Sequence, residues 1–265
     1  MTIRVRLLLL VCVGLAMSVG MQAQGRGGAG APGGAVSPAR VVAPKDLTGY
    51  WVSVVAEHWH LRMLVPPRGE FAMLPLNAEA RRIANTWDPA KEPAAEQCRS
   101  YGAAAIMRVP SRLNVHWADD NTLQMDIDSG TQTRVFHFGG GAAPANQPPQ
   151  WQGYSVAEWE GVPAQELRAR KAGAPPDPRG GLKVTTTRMR AAYLRKNGVP
   201  YSENATLVEY FDRFTEPNGD DWIVVDSIVT DPQYLTQPYL TSSAFKKIPD
   251  RSGWDPTPCR ADQAR

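Results

Sequence analysis

The stretch Arg112–Phe138 alternates apolar and polar residues with a period of two and is broken twice by short polar turns. Leu113, Val115 and Trp117 share one face; so do Leu123, Met125 and Ile127, and so do Arg134, Phe136 and Phe138. A period of two sends alternate side chains to opposite faces of a strand, whereas a helix needs a spacing near 3.6. Asp119-Asp120-Asn121 and Ser129-Gly130 supply the turns, which predicts an antiparallel meander over Arg112–Ala118, Thr122–Asp128 and Thr131–Phe138. The same patterning predicts strands over Leu47–Val55, Trp151–Gly161, Leu182–Met189, Thr206–Phe214, Asp221–Thr230 and Tyr239–Lys247, with Pro217-Asn218-Gly219 as a hairpin turn. One good helix stands out, Leu76–Trp87, with Asn77 as its N-cap. These elements predict an all-β fold: an antiparallel β-barrel with one short N-terminal helix. A barrel is favoured over a sandwich because closure leaves no edge strand to protect.

The first residues form a separate unit. Arg4 and Arg6 precede the apolar run Leu7–Ala16, and small and polar residues follow, ending Met21-Gln22-Ala23-Gln24. That order predicts a secretory signal peptide over residues 1–23, cut after Ala23 or alternatively after Ser18. The apolar run is too short for a bilayer, which needs about 20 residues. A periplasmic or secreted product with no stable membrane insertion is therefore expected. Residues 24–44 are mostly Gly, Ala and Pro and read as a flexible linker, leaving one domain over residues 45–265.

Cys12 leaves with the signal, so Cys98 and Cys259 remain, and in an oxidising compartment they are expected to form a disulfide. The formal charge of +3 falls to +1 without Arg4 and Arg6. Basic residues are scattered without a stripe, which gives nucleic-acid binding no support.

Two segments carry resemblances. Gly49-Tyr50-Trp51, opening the first strand, resembles the Gly-x-Trp start of lipocalins, which implies a barrel whose closed end is plugged by the Trp. Trp151–Gly161 (WQGYSVAEWEG) resembles a segment found in an uncharacterised family of secreted β-rich bacterial proteins. That likeness continues through Leu182–Thr186, Gly198–Glu203, Glu209–Arg213 and Asp231-Pro232. It implies a secreted β-rich fold and no particular activity. Two departures from the family pattern are the insertion Val162–Gly181 and Tyr201 where relatives often carry His.

Several side chains could carry chemistry. In a strand, His58 and His60 would share a face about 6–7 Å apart, close enough to hold a metal with a third ligand from His116 or His137. Glu160, Tyr154, His137 and His116 are the candidate acid–base residues, because a carboxylate in an apolar lumen has a raised pKa. Arg134 is the candidate anchor for an anionic ligand. With eight Trp and eight Tyr in the chain, Trp151, Trp159 and Trp117 are candidate walls of an amphipathic cup. The resulting expectation is a periplasmic barrel that binds a small, partly apolar molecule, with no cofactor required. The alternative is an enzyme performing lyase, isomerase or hydrolase chemistry in the same cup.

Overall fold

The computed structural model describes residues 37–265; the expected signal peptide and residues 24–36 of the expected linker lie outside the described residues. Eleven strands occur among them: β1 (Gly49–Val54), β2 (Arg112–Asp119), β3 (Thr122–Ile127), β4 (Gln132–Phe138), β5 (Tyr154–Glu160), β6 (Gly181–Thr187), β7 (Ala192–Arg195), β8 (Val199–Tyr201), β9 (Thr206–Thr215), β10 (Asp221–Thr230) and β11 (Tyr239–Ile248). Five short helices accompany them: α1 (Ala39–Val42), α2 (Trp59–Arg62), α3 (Ala78–Thr86), α4 (Ala103–Ile106) and α5 (Ala164–Ala169). The chain is thus all-β as expected, and every predicted strand is present. The single predicted helix is α3, whose first turn is capped by Asn77: its side chain accepts from the Ala80 N–H at 2.9 Å.

Nine strands close into a barrel in the order β1-β11-β10-β9-β6-β5-β4-β3-β2, while β7 and β8 form a separate hairpin. The expectation of a fully antiparallel barrel fails at one seam. β4 and β5 run parallel, joined through Phe136–Phe138 against Ser155–Ala157. Strands that alternate in direction around a ring must be even in number, so a nine-membered ring needs a parallel pair. Residues 139–153, rich in Gly, Ala and Pro, carry the chain back along the barrel so that β5 can start at the same end as β4.

Burial alternates along the strands as their patterning requires. Leu113, Val115, Leu123, Met125, Ile127 and Phe136 are buried in one cluster that fills the lumen together with Trp51, Val184, Phe211 and Phe245. The Trp51 indole N–H donates to the Leu47 carbonyl at 3.0 Å, and the Lys247 ammonium sits 5.3 Å from its ring centre.

Each barrel end has its own closure. At one end Trp117, Phe138 and Trp159 pack together, with ring centroids 5.0–6.4 Å apart. The expected linker does not extend this far as a free tether. Ala39 and Val42 of α1 are buried, the Trp159 indole donates to the Ala39 carbonyl, and the Ala39 N–H donates to Asn121.

The opposite, capped end is covered by three chain segments. Tyr101, Ile106, Met107 and Val109 press into the lumen, α3 and the β7–β8 hairpin share a second apolar cluster, and the C-terminal tail arrives last. Cys98 and Cys259 form the expected disulfide, with Cα atoms 5.0 Å apart. Gly130 turns at φ +72 directly beneath this closure; a Cβ there would lie 2.5 Å from the Tyr101 ring, so only glycine suits the turn.

Candidate functional site

The lumen is not a cup. Arg134 points into it, as its face predicts, but its guanidinium is already engaged. Nη1 and Nη2 donate to Glu209 at 2.9 and 2.5 Å, and Nη2 also reaches the Thr186 hydroxyl at 3.4 Å. Arg134 and Glu209 are fully buried and sit on β4 and β9, which β5 and β6 separate. The pair therefore spans the interior; Glu209 takes both terminal nitrogens, and only Nε is left without a partner among the described residues. Trp117 and Trp159 point inward but serve as the aromatic plug of the open end. Trp151 lies beside the capped end, stacked under Arg190, whose guanidinium carbon is 3.9 Å from the ring centre.

All four acid–base candidates fall on the outer wall. His116 alternates with the inward Val115 and Trp117, and its Nδ1 lies 3.7 Å from Asp126. His137 and Tyr154 stack on one another outside the barrel, with centroids 4.7 Å apart. Glu160 is outward too, its carboxyl pushed up by partial burial and by Glu158 while Lys183 opposes the rise. Parity fixes which residues share a face, and packing turned the apolar face inward, taking these four out of any lumen.

The metal expectation fails on backbone shape. His58 adopts a left-handed conformation (φ 49) and opens α2, which contains His60. A strand face is therefore never formed, and His116 and His137 lie elsewhere on the barrel wall. Among the described residues no three His, Cys, Asp or Glu side chains are grouped to hold a metal.

What the structure assembles instead lies at the capped end. Arg62 at the end of α2, Arg108 after α4, Arg195 at the end of β7 and Lys196 beside it line a half-open hollow of about 30 Å³ together with Ser100. Leu61, Val109 and Leu194 supply its apolar walls, and Ala264 of the tail closes one side. The four cationic residues are only 4–9% exposed, yet among the described residues none of them forms an ion pair. The protein partners of Arg62, Arg195 and Lys196 are carbonyls and, for Lys196, also the Tyr101 ring, whose centre lies 3.6 Å from Nζ. Arg62 Nε donates to the Arg108 carbonyl at 3.0 Å, Arg195 Nη2 to the Ala72 carbonyl at 2.9 Å, and Lys196 Nζ to the Gln263 carbonyl at 2.8 Å. Arg62 Nη2 and Arg195 Nε and Nη1 are buried donors with no partner among the described residues.

The electrostatics follow from this arrangement. Burial, then the like charge of Arg108, pushes the Arg62 guanidinium down to about 10, with Glu57 on the bend above opposing the shift. Burial pushes the Lys196 ammonium down to about 7 against the pull of Asp262. Buried charge without a counter-charge costs several kcal/mol per ion, and an arriving anion removes that cost. A water needs about 10–15 Å³ of such space, so the hollow has room for a compact group of a few heavy atoms, and not for a whole drug-sized molecule.

Comparison with family models, with curated proteins and with solved structures returned no match, so the site is read from its own residues. Sequence reasoning overlooked it because the cations come from three distant segments and form no stripe. A signal was nonetheless present: Leu61-Arg62-Met63-Leu64 and Met107-Arg108-Val109 each set a basic residue between apolar ones with no adjacent acid.

Proposed function

We propose that this protein is an exported small-molecule-binding barrel whose ligand is a partly apolar anion, held at the capped end by Arg62 and Arg108 with Arg195 and Lys196 around them. The observation that carries this reading is the burial of four basic residues around one hollow with no acidic partner. The filled lumen moves the ligand from the expected interior cup to the cap that closes it. The Cys98–Cys259 bridge supports an oxidising setting, and it also pins the tail that walls the hollow. The enzymatic alternative finds no such support, because its four candidate residues lie on the outer wall.

Isothermal titration of the mature chain with sodium butyrate and with inorganic phosphate tests the reading. At least one should bind, more weakly as salt rises, because the attraction is electrostatic. The Arg62→Gln/Arg108→Gln double variant should bind at least ten-fold less tightly, since hydrogen bonds to charged groups contribute about 1.5–3 kcal/mol each. Arg40→Gln, on an exposed residue of α1, should bind as the parent does. No binding of either anion by the parent, or equal binding by the double variant, would sink the reading.

A further inference from the structure

The apolar surface beside the hollow defines its ligand further. A groove of about 350 Å³ runs along the barrel wall, floored by Val52, Val55, Met63 and Pro110 with Ser53 and Ser111 beside them. It begins where the hollow ends in the chain: Met63 lies between the hollow residues Arg62 and Leu64, and Pro110 follows the hollow residue Val109. Trp59, Met63 and Leu64, on α2 and directly after it, are 61%, 50% and 58% exposed. Met73 and Leu240 are exposed as well: Met73 follows Ala72, whose carbonyl holds Arg195, and Leu240 follows Tyr239, which faces Arg62 closely enough to influence its charge. Single exposed apolar residues are ordinary; several gathered around buried cations mark a binding surface.

We infer that the ligand is a single-chain carboxylate of the fatty-acid class, with its head group in the Arg62–Arg108 hollow and its hydrocarbon chain along the Val52–Val55–Met63–Pro110 groove. This inference rests on the anion-binding reading above. Charge complementarity sets the orientation. Arg112 and Arg265 also line the groove, but both pair with Asp128, so of the cations lining the groove and the hollow only those of the hollow lack an ion pair. One short groove matches one chain; a two-chain phospholipid would leave half of its hydrocarbon in water.

The test is a titration series of sodium butyrate, hexanoate, octanoate and decanoate below their micellar concentrations. Affinity should rise about two-fold per added methylene if the groove half-buries the chain and about four-fold if it buries it fully, reaching a plateau when the groove is filled. 1-Octanol, which has the chain without the charge, should bind at least ten-fold more weakly than octanoate. The neutral double variant Met63→Ser/Val55→Ser should flatten the series, whereas Arg40→Gln should leave it unchanged. A flat series in the parent with butyrate still bound overturns the inference and leaves the anion-binding reading standing. Loss of both butyrate and phosphate binding removes that underlying reading. Sedimentation with phosphatidylglycerol vesicles, without any chain-length dependence in solution, also overturns the inference, since it assigns the patch to a membrane surface.

Discussion

Arg134 and Glu209 show how a side chain can be placed correctly by its pattern and still do something other than expected. Its alternation with Phe136 and Phe138 turns Arg134 inward, and an inward arginine must find a carboxylate or leave the core. Glu209 provides one from across the lumen. Glu209→Gln should therefore cost about 3–5 kcal/mol in denaturant unfolding, because it strands the guanidinium, whereas Arg134→Met/Glu209→Leu should recover most of that loss. Equal destabilisation by the single and double variants would mean that shape, and not charge, decides the site. Lys196 gives a pH signature. Its native pKa is about 7 against an ordinary 10.5, so between those values the unfolded chain binds one more proton than the folded chain. Stability then rises with pH across that window, by at most about 1.4 kcal/mol per unit, and the penalty is fully present below pH 7. Measured at pH 7 and pH 9, the parent should gain about 1–3 kcal/mol relative to Lys196→Met; an unchanged difference between the two would refute the assignment.

Secondary-structure elements differed in how plainly the sequence announced them. The nine barrel strands were legible because β-branched and aromatic residues at period two have one comfortable arrangement, and α3 because Asn77 is placed to cap it. The direction of β5 was not legible, since periodicity is the same whichever way a strand runs. The β7–β8 hairpin escaped because it is three to four residues long on each side and its register slips between Tyr193 and Arg195. His58 and His60 would share a face only in a strand, and the left-handed turn at His58 opens a helix instead. The C-terminal tail has no regular structure and is held by side-chain bonds, among them Arg265 to Asp128 and Ser129 and Thr131 to the Thr257 carbonyl. Tyr101 accepts from the Arg260 N–H at 3.1 Å, Ala261 donates to Gln97, and Cys259 is bridged to Cys98 across 161 residues. On the chain-entropy account a closure of that length contributes about 5 kcal/mol. Cys98→Ser/Cys259→Ser should lower the melting temperature markedly and speed trypsin cleavage after Arg251 and Arg260, which are exposed but held in the tail; unaltered melting and digestion would mean the bonds alone hold the tail.

At the scale of the molecule, the ring of nine strands was recoverable from the count of strand segments, but the location of the site was not. The sequence favours a lumen site in any barrel rich in aromatic residues. Here the aromatic rings and the Arg134–Glu209 pair fill that lumen, and the candidate site moved to a seam made by residues 61–64, 100–109, 194–196 and the tail. No local pattern reports such a meeting, because each segment contributes one or two residues. The topology also imposes an order of events in time. β1, near the beginning of the described chain, pairs with β11, near its end, so the ring cannot shut while the chain is still being made. Trp51 and Val115 must wait, uncovered, for Phe245. Cys98 must likewise stay unpaired until Cys259 emerges, and the hollow gains its last wall only then. A chain arranged in this way stays unfinished until its last strand is available, and its survival until then depends on how fast its final residues can reach its first.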